Sequence, residues 1–203
     1  MKKTFILLTL FFTSLISLSQ NESAYQQLQP LTGGLIFPIG NEKDWTKDDA
    51  LYKSKQFLFQ KILGSSEEIN DFTVIPLTAD KSDELTTLFY KSDKLNKSGL
   101  LLGFYGRRWN DYGTNYNAYG FKYFDSDKAT EFLDKISKSL EDYKKYLQDD
   151  NDNNNIYFKF EDVEILIYRN GGSFIMRLFW NGFDSTWNEG YYVRSKRRFE
   201  KKL

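Results

Sequence analysis

The chain has 203 residues, with 28 Lys and Arg against 28 Asp and Glu, and neither His nor Cys. Those two absences exclude Ser-His-Asp triads, Cys nucleophiles, disulfides and the common zinc sites, so any catalysis would rest on carboxylates, Lys, Tyr, Ser, Thr or Arg. The balanced charge gives no global attraction to nucleic acid or to a membrane surface.

Residues 1–19 have the form of a secretory signal. Lys2 and Lys3 precede an apolar run at 5–18, and Ser17-Leu18-Ser19 offers a small-x-small cleavage motif before Gln20. The run falls short of the about 20 residues that a spanning helix needs, and no later stretch comes closer. We therefore expect an exported chain, periplasmic or extracellular, whose mature part at 20–203 is a single soluble α+β domain. Cleavage would leave 26 basic against 28 acidic residues.

Residues 31–40 read as a short strand punctuated by Gly33, Gly34, Pro38 and Gly40. A helix is predicted at 47–63, where Ala50, Leu51, Phe57, Leu58 and Ile62 supply an apolar stripe and Gly64 a C-terminal stop. β-Branched and aromatic residues then predict strands at 72–77 and 84–91. Residues 99–106 are almost all apolar and suit a strand buried on both faces, and Tyr119, Phe121 and Tyr123 alternate as a half-buried one. The short links between them favour antiparallel neighbours.

The clearest helix is at 126–148. Ala129, Leu133, Ile136, Leu140, Tyr143 and Leu147 recur at alternating spacings of four and three, with Asp125, Ser126 and Asp127 available to cap the first turn. Glu131–Lys135, Asp134–Lys138 and Glu141–Lys145 are acid-first pairs four apart. A second β block follows. Ile156, Phe158 and Phe160 alternate and continue into Val163, Ile165 and Ile167 with a slip near Asp162, then Asn170-Gly171-Gly172 turns the chain. Phe174, Met176, Leu178 and Trp180 form the next inward row, and Asn181-Gly182 is a hairpin signal that calls for one more strand. A terminal helix is predicted at 192–203, anchored by Tyr192, Phe199 and Leu203. The expected fold is thus α+β: mainly antiparallel sheet in two β blocks, with the long amphipathic helix (126–148) on them and an N-terminal helix (47–63). The order could describe two similar α–β halves, although no residue-level self-similarity supports a duplication.

Four stretches carry candidate chemistry. Asp150, Asp152, Asn154 and Glu161 fall at positions 1, 3, 5 and 12 of a loop that resembles an EF-hand calcium site. Position 6 is Asn155 where a Gly is wanted, and the sequence that follows is strand-like, so a polar helix-to-strand turn is the alternative. Between two predicted strands, residues 106–119 gather Arg107, Arg108, Trp109, Asn110, Asp111, Tyr112, Asn115 and Tyr116, a mixture of stacking faces and hydrogen-bonding groups suited to sugar or protein recognition. The alternative is a long hairpin whose aromatics fold back on the sheet. Residues 181–192, with Trp180 and Trp187, have the same character, and Asp111, Asp184 or Glu189 could supply a carboxylate pair for glycoside chemistry. The basic end carries Arg194, Lys196, Arg197, Arg198, Lys201 and Lys202, either a contact for anionic polymers or a solvated helix face.

The resulting expectation is a non-enzymatic binding module for an envelope protein or glycan, with no cofactor and no nucleic-acid partner. The alternatives are a carboxylate-dependent glycan hydrolase and a calcium-stabilised structural module.

Overall fold

A computed structural model describes residues 36–38, 47–64, 67–79, 85–109, 112–150 and 153–203. The predicted signal at 1–19 lies outside these residues, as do Asn110, Asp111 and Asp152. A helix, α1 (Lys47–Phe57), runs into a π-helical turn (Leu58–Leu63) and stops at Gly64, where φ is 81°. Four strands follow: β2 (Thr73–Ala79), β3 (Leu85–Ser92), β4 (Lys97–Trp109) and β5 (Asn115–Asp125), with β1 (Ile36–Pro38) added on the outside of β5. Two consecutive helices, α2 (Ser126–Asp142) and α3 (Lys144–Asp149), lead to β6 (Asn155–Phe160), β7 (Val163–Asn170), β8 (Ser173–Trp180) and β9 (Phe183–Asn188). The chain closes with α4 (Glu189–Glu200).

The described strands form one antiparallel sheet, and the fold is α+β as the pattern predicts. The two β blocks join at a single register point, Arg108 opposite Phe183. Strand β4 makes that possible through its length. One edge pairs with β5 along 99–109, while the other takes β3 along 97–104 and then β9 at Arg108.

Period-two alternation on β4 divides the interior. Leu100, Leu102 and Phe104 face a core shared by both halves of the sheet, which α2, α3 and α4 fill with Ala129, Phe132, Leu133, Ile136, Leu147, Tyr192 and Phe199. Leu101 faces the other way and meets Tyr119, Phe121 and the Phe57, Leu58 and Ile62 of the first helix. Each fully buried side chain of this size contributes roughly 1.5–3 kcal/mol. Helix α4 is also tied by hydrogen bonds. Its Ser195 hydroxyl joins those of Thr78 and Thr87 in a buried cluster, and Tyr192 Oη donates to Leu133 O at 2.6 Å.

Several predicted details are corrected. The long helix breaks at Tyr143, whose φ of −104° and ψ of 9° leave the helical region and turn the ring to solvent, whereas Phe132, off the predicted stripe, is buried. The three acid-first pairs do not form. Lys128 meets Glu131, Lys138 meets Asp142, and Asp134 is taken by Lys196 from α4. The slip near Asp162 is a reversal: Glu161, at φ 51°, and Asp162 turn β6 back into β7, with Phe160 opposite Val163.

A candidate binding site where the fourth strand meets the last hairpin

The expected loop at 106–119 is mostly strand. Arg107 pairs across from Asn117, Arg108 from Tyr116 and Trp109 from Asn115, so only a few residues connect β4 to β5. The continued alternation settles which side each residue faces. Arg108 points inward, in line with Phe104 and opposite the buried Phe183, and is only 8% exposed. Arg107 and Trp109 point outward, and Trp109 is 58% exposed.

Arg108 is the anchor. Its Nε donates to Asn181 O at 2.6 Å, Nη2 to Asn181 Oδ1 at 2.9 Å and Nη1 to Tyr116 Oη at 2.5 Å. No described carboxylate forms an ion pair with it, so carbonyl oxygens and the Tyr116 ring, 5.8 Å away, answer a buried positive charge. The turn it grips is Asn181-Gly182, with φ of 49° and 81°, the left-handed pair that a tight hairpin needs. Glycine is required here for a second reason: a Cβ on Gly182 would lie 2.4 Å from Trp109 O. That close approach lets Trp109 N donate to Gly182 O at 3.2 Å. The two aromatic clusters of the sequence are therefore neighbours, and Trp109 is held by its own backbone rather than by a flexible loop.

Beside Trp109 lies a groove of about 450 Å³ bordered by Glu164, Phe179, Asn181 and Asp184. Glu164, Phe179 and Asp184 stand opposite one another on three adjacent strands, on the face away from α2, α3 and α4. Asp184 is clamped by Arg177, whose Nε donates to Oδ1 at 2.7 Å and whose Nη2 donates to Oδ2, while Glu164 stands 4.0 Å from Lys159 Nζ.

Asp162, at the inner corner of the groove, belongs to a different device. Lys122 Nζ lies 2.7 Å from its Oδ1 and 2.9 Å from Glu161 Oε2, and Trp180 Nε1 donates to Asp162 Oδ2 at 2.9 Å. Burial pushes the Asp162 pKa up, but the hydrogen bonds and charge of Lys122, with the Trp180 N–H, outweigh it and hold the carboxyl below its usual range. Burial likewise pulls Lys122 down, and the two carboxylates outweigh it, so its pKa is raised. Both groups stay charged at neutral pH, which makes the cluster a clip between β5 and the β6–β7 turn.

The other sequence candidates are dispersed. Tyr112 is exposed, Tyr116 serves Arg108, and Trp187, 1% exposed, is a core residue stacked on Phe132, because β9 is a strand whose odd positions face inward. It cannot meet a ligand. Asp184 and Glu189 lie at opposite ends of β9, about 17 Å apart along an extended chain, beyond the spacing of a glycosidase pair. Glu189 is occupied as the acceptor for Phe174 N at 3.1 Å. The described residues of the calcium candidate are not brought together. The whole of β6 runs between Asn154 and Glu161, carrying the latter about 20 Å away to Lys122. Asn154 Nδ2 instead donates to Tyr146 O at 2.7 Å, ending the preceding helix. In the basic tail, Lys196 is paired with Asp134 and Glu200, and Arg198 donates to Leu77 O.

The sequence signal for this candidate site lies in Trp109, Asn181 and Gly182. Phe179 was missed because an outward aromatic in an alternating strand looks like any other half-buried position. No family model, no curated protein and no solved structure matches the chain, so the site is read from its own residues.

Proposed function

We propose that the chain is a non-catalytic binding module of the cell envelope, exported by its first 19 residues, which presents the groove beside Trp109 to a protein or glycan partner. One observation carries the reading: a large exposed indole stands at a strand end whose backbone is tied to Gly182, in a turn that Arg108 grips through Asn181. Preorganisation of this kind lowers the ordering cost of binding. Among the described residues no helix is long and apolar enough to cross a membrane. The carboxylates at the groove are each matched to a cation, and the pKa of Asp162 is lowered, whereas a general acid needs a raised one.

Trp109→Ala is the test. Because the ring is exposed, the variant should unfold within about 0.5 kcal/mol of the parent in urea. Its binding to purified envelope glycans or envelope proteins should fall by about tenfold or more. Undiminished binding would move the site elsewhere. Export is checked by fractionation: Lys2 and Lys3 replaced by Glu should leave the chain in the cytoplasm.

A further inference from the structure

The outward face of β6 to β9 carries a regularity that spans several hairpins. Gly182 stands opposite Trp109, Asp184 opposite Phe179, and Thr186 in one row with Arg177, Leu166 and Tyr157. Trp109, Phe179 and Tyr157 therefore fall on one diagonal, each two strands across and two residues along from the last. For strands about 4.8 Å apart that rise about 3.4 Å per residue, the step is about 12 Å. Trp109 and Tyr157 are 58% and 59% exposed, Phe179 is half-buried, and none of the three joins either core cluster. No described helix covers them.

We propose that this diagonal is a platform for an extended, uncharged polysaccharide, a proposal that rests on the Trp109 reading above. Three features select that ligand. Equal spacing of rings on a sheet face matches a polymer with a repeat, whereas protein contacts concentrate their energy in one desolvated centre. The flat apolar face of a sugar ring covers an aromatic ring without needing a deep pocket. The acidic groups flanking the rings are already matched, Asp184 by Arg177 and Glu164 by Lys159, which leaves Arg107 at one end as a single extra positive charge, too little to select a densely charged chain. Paired carboxylates and guanidinium groups keep lone pairs and N–H donors for sugar hydroxyls. Arg107, exposed and about 7 Å along β4 from Trp109, borders the platform as a further donor.

The experiment is affinity electrophoresis of the full chain through gels cast with hydroxyethylcellulose, xylan or mannan, and in parallel with anionic alginate. Retardation by at least one neutral polymer is expected, unchanged in 0.5 M salt because no ion pair is involved, with 0.5 M chosen as roughly several times the ionic strength that screens surface charges. Trp109→Ala should weaken it by about tenfold or more, and Phe179→Ala and Tyr157→Ala each by several-fold. Circular dichroism shows that each variant folds, and Lys138→Ala, on the far side of α2, serves as a neutral control. Retardation by alginate alone that salt abolishes would overturn the uncharged ligand. No retardation by any polysaccharide, with a purified envelope protein binding in a Trp109-dependent way, would overturn the platform but leave the binding module standing. Retardation that ignores Trp109→Ala would overturn both.

Discussion

Arg108 and Lys122 are both buried cations, yet the chain answers them differently. Arg108 is surrounded by neutral acceptors, so Arg108→Ala should orphan the Asn181 carbonyl and the Tyr116 hydroxyl together. A loss of about 2–3 kcal/mol is expected from the urea midpoint at unchanged m, with weakened ligand binding as the turn beside Trp109 loosens. Lys122 faces two carboxylates, and its effect depends on pH. The folded pKa of Asp162 is depressed, so its contribution is complete above the unfolded value of about 3.9 and is lost as pH falls through the folded pKa. The raised pKa of Lys122 acts at the other end: its contribution is complete below about 10.4 and is lost as pH rises through the folded pKa. Asp162→Asn should therefore flatten the fall in stability as pH drops below about 3.9. At pH 7, Lys122→Met should cost about 2 kcal/mol by leaving Asp162 unmatched at a partly buried site.

At the scale of elements, what local chemistry dictates was readable and what a distant residue imposes was not. The stripe Ala129, Leu133 and Ile136 announced α2, and Asn181-Gly182 announced the last hairpin, because helix period and left-handed turn residues act within a few positions. Glu161-Asp162 carries no turn signal, since Lys122, far away in sequence, stabilises that reversal. The end of β4 was hidden likewise. Arg-Arg-Trp is polar enough to read as loop until β5 and the β8–β9 turn supply partners. For the site this means that Trp109, Asn181 and Asp184 are legible as candidates while Phe179 and Glu164 are not, and that Trp187 is misplaced because a buried and an exposed Trp look alike in a string of letters. The pairing of β4 with β5 makes its own demand. A Cβ on Gly99 would lie 2.0 Å from Phe124 O and 2.9 Å from the Tyr90 ring. Gly99→Ala should cost more than about 3 kcal/mol in thermal or urea unfolding, because the obstacle is backbone and cannot rotate away.

For the molecule as a whole, the narrow join between Arg108 and Phe183 has a kinetic consequence. β6, β7, β8 and β9 are successive hairpins, whose contacts close over short loops, whereas the join brings together positions 108 and 183 and must close a far longer one. The hairpins should form early and the join late in refolding. A mutation whose lost ring contacts cross the join, such as Phe104→Leu on the Trp180 and Phe183 rings, should then speed unfolding in a chevron experiment while leaving the refolding limb nearly in place, a φ-value near zero. Val163→Ala, inside the β6–β7 hairpin, should slow refolding instead. The reverse order of φ-values would mean that the chain knits its halves together first and lets the hairpins follow.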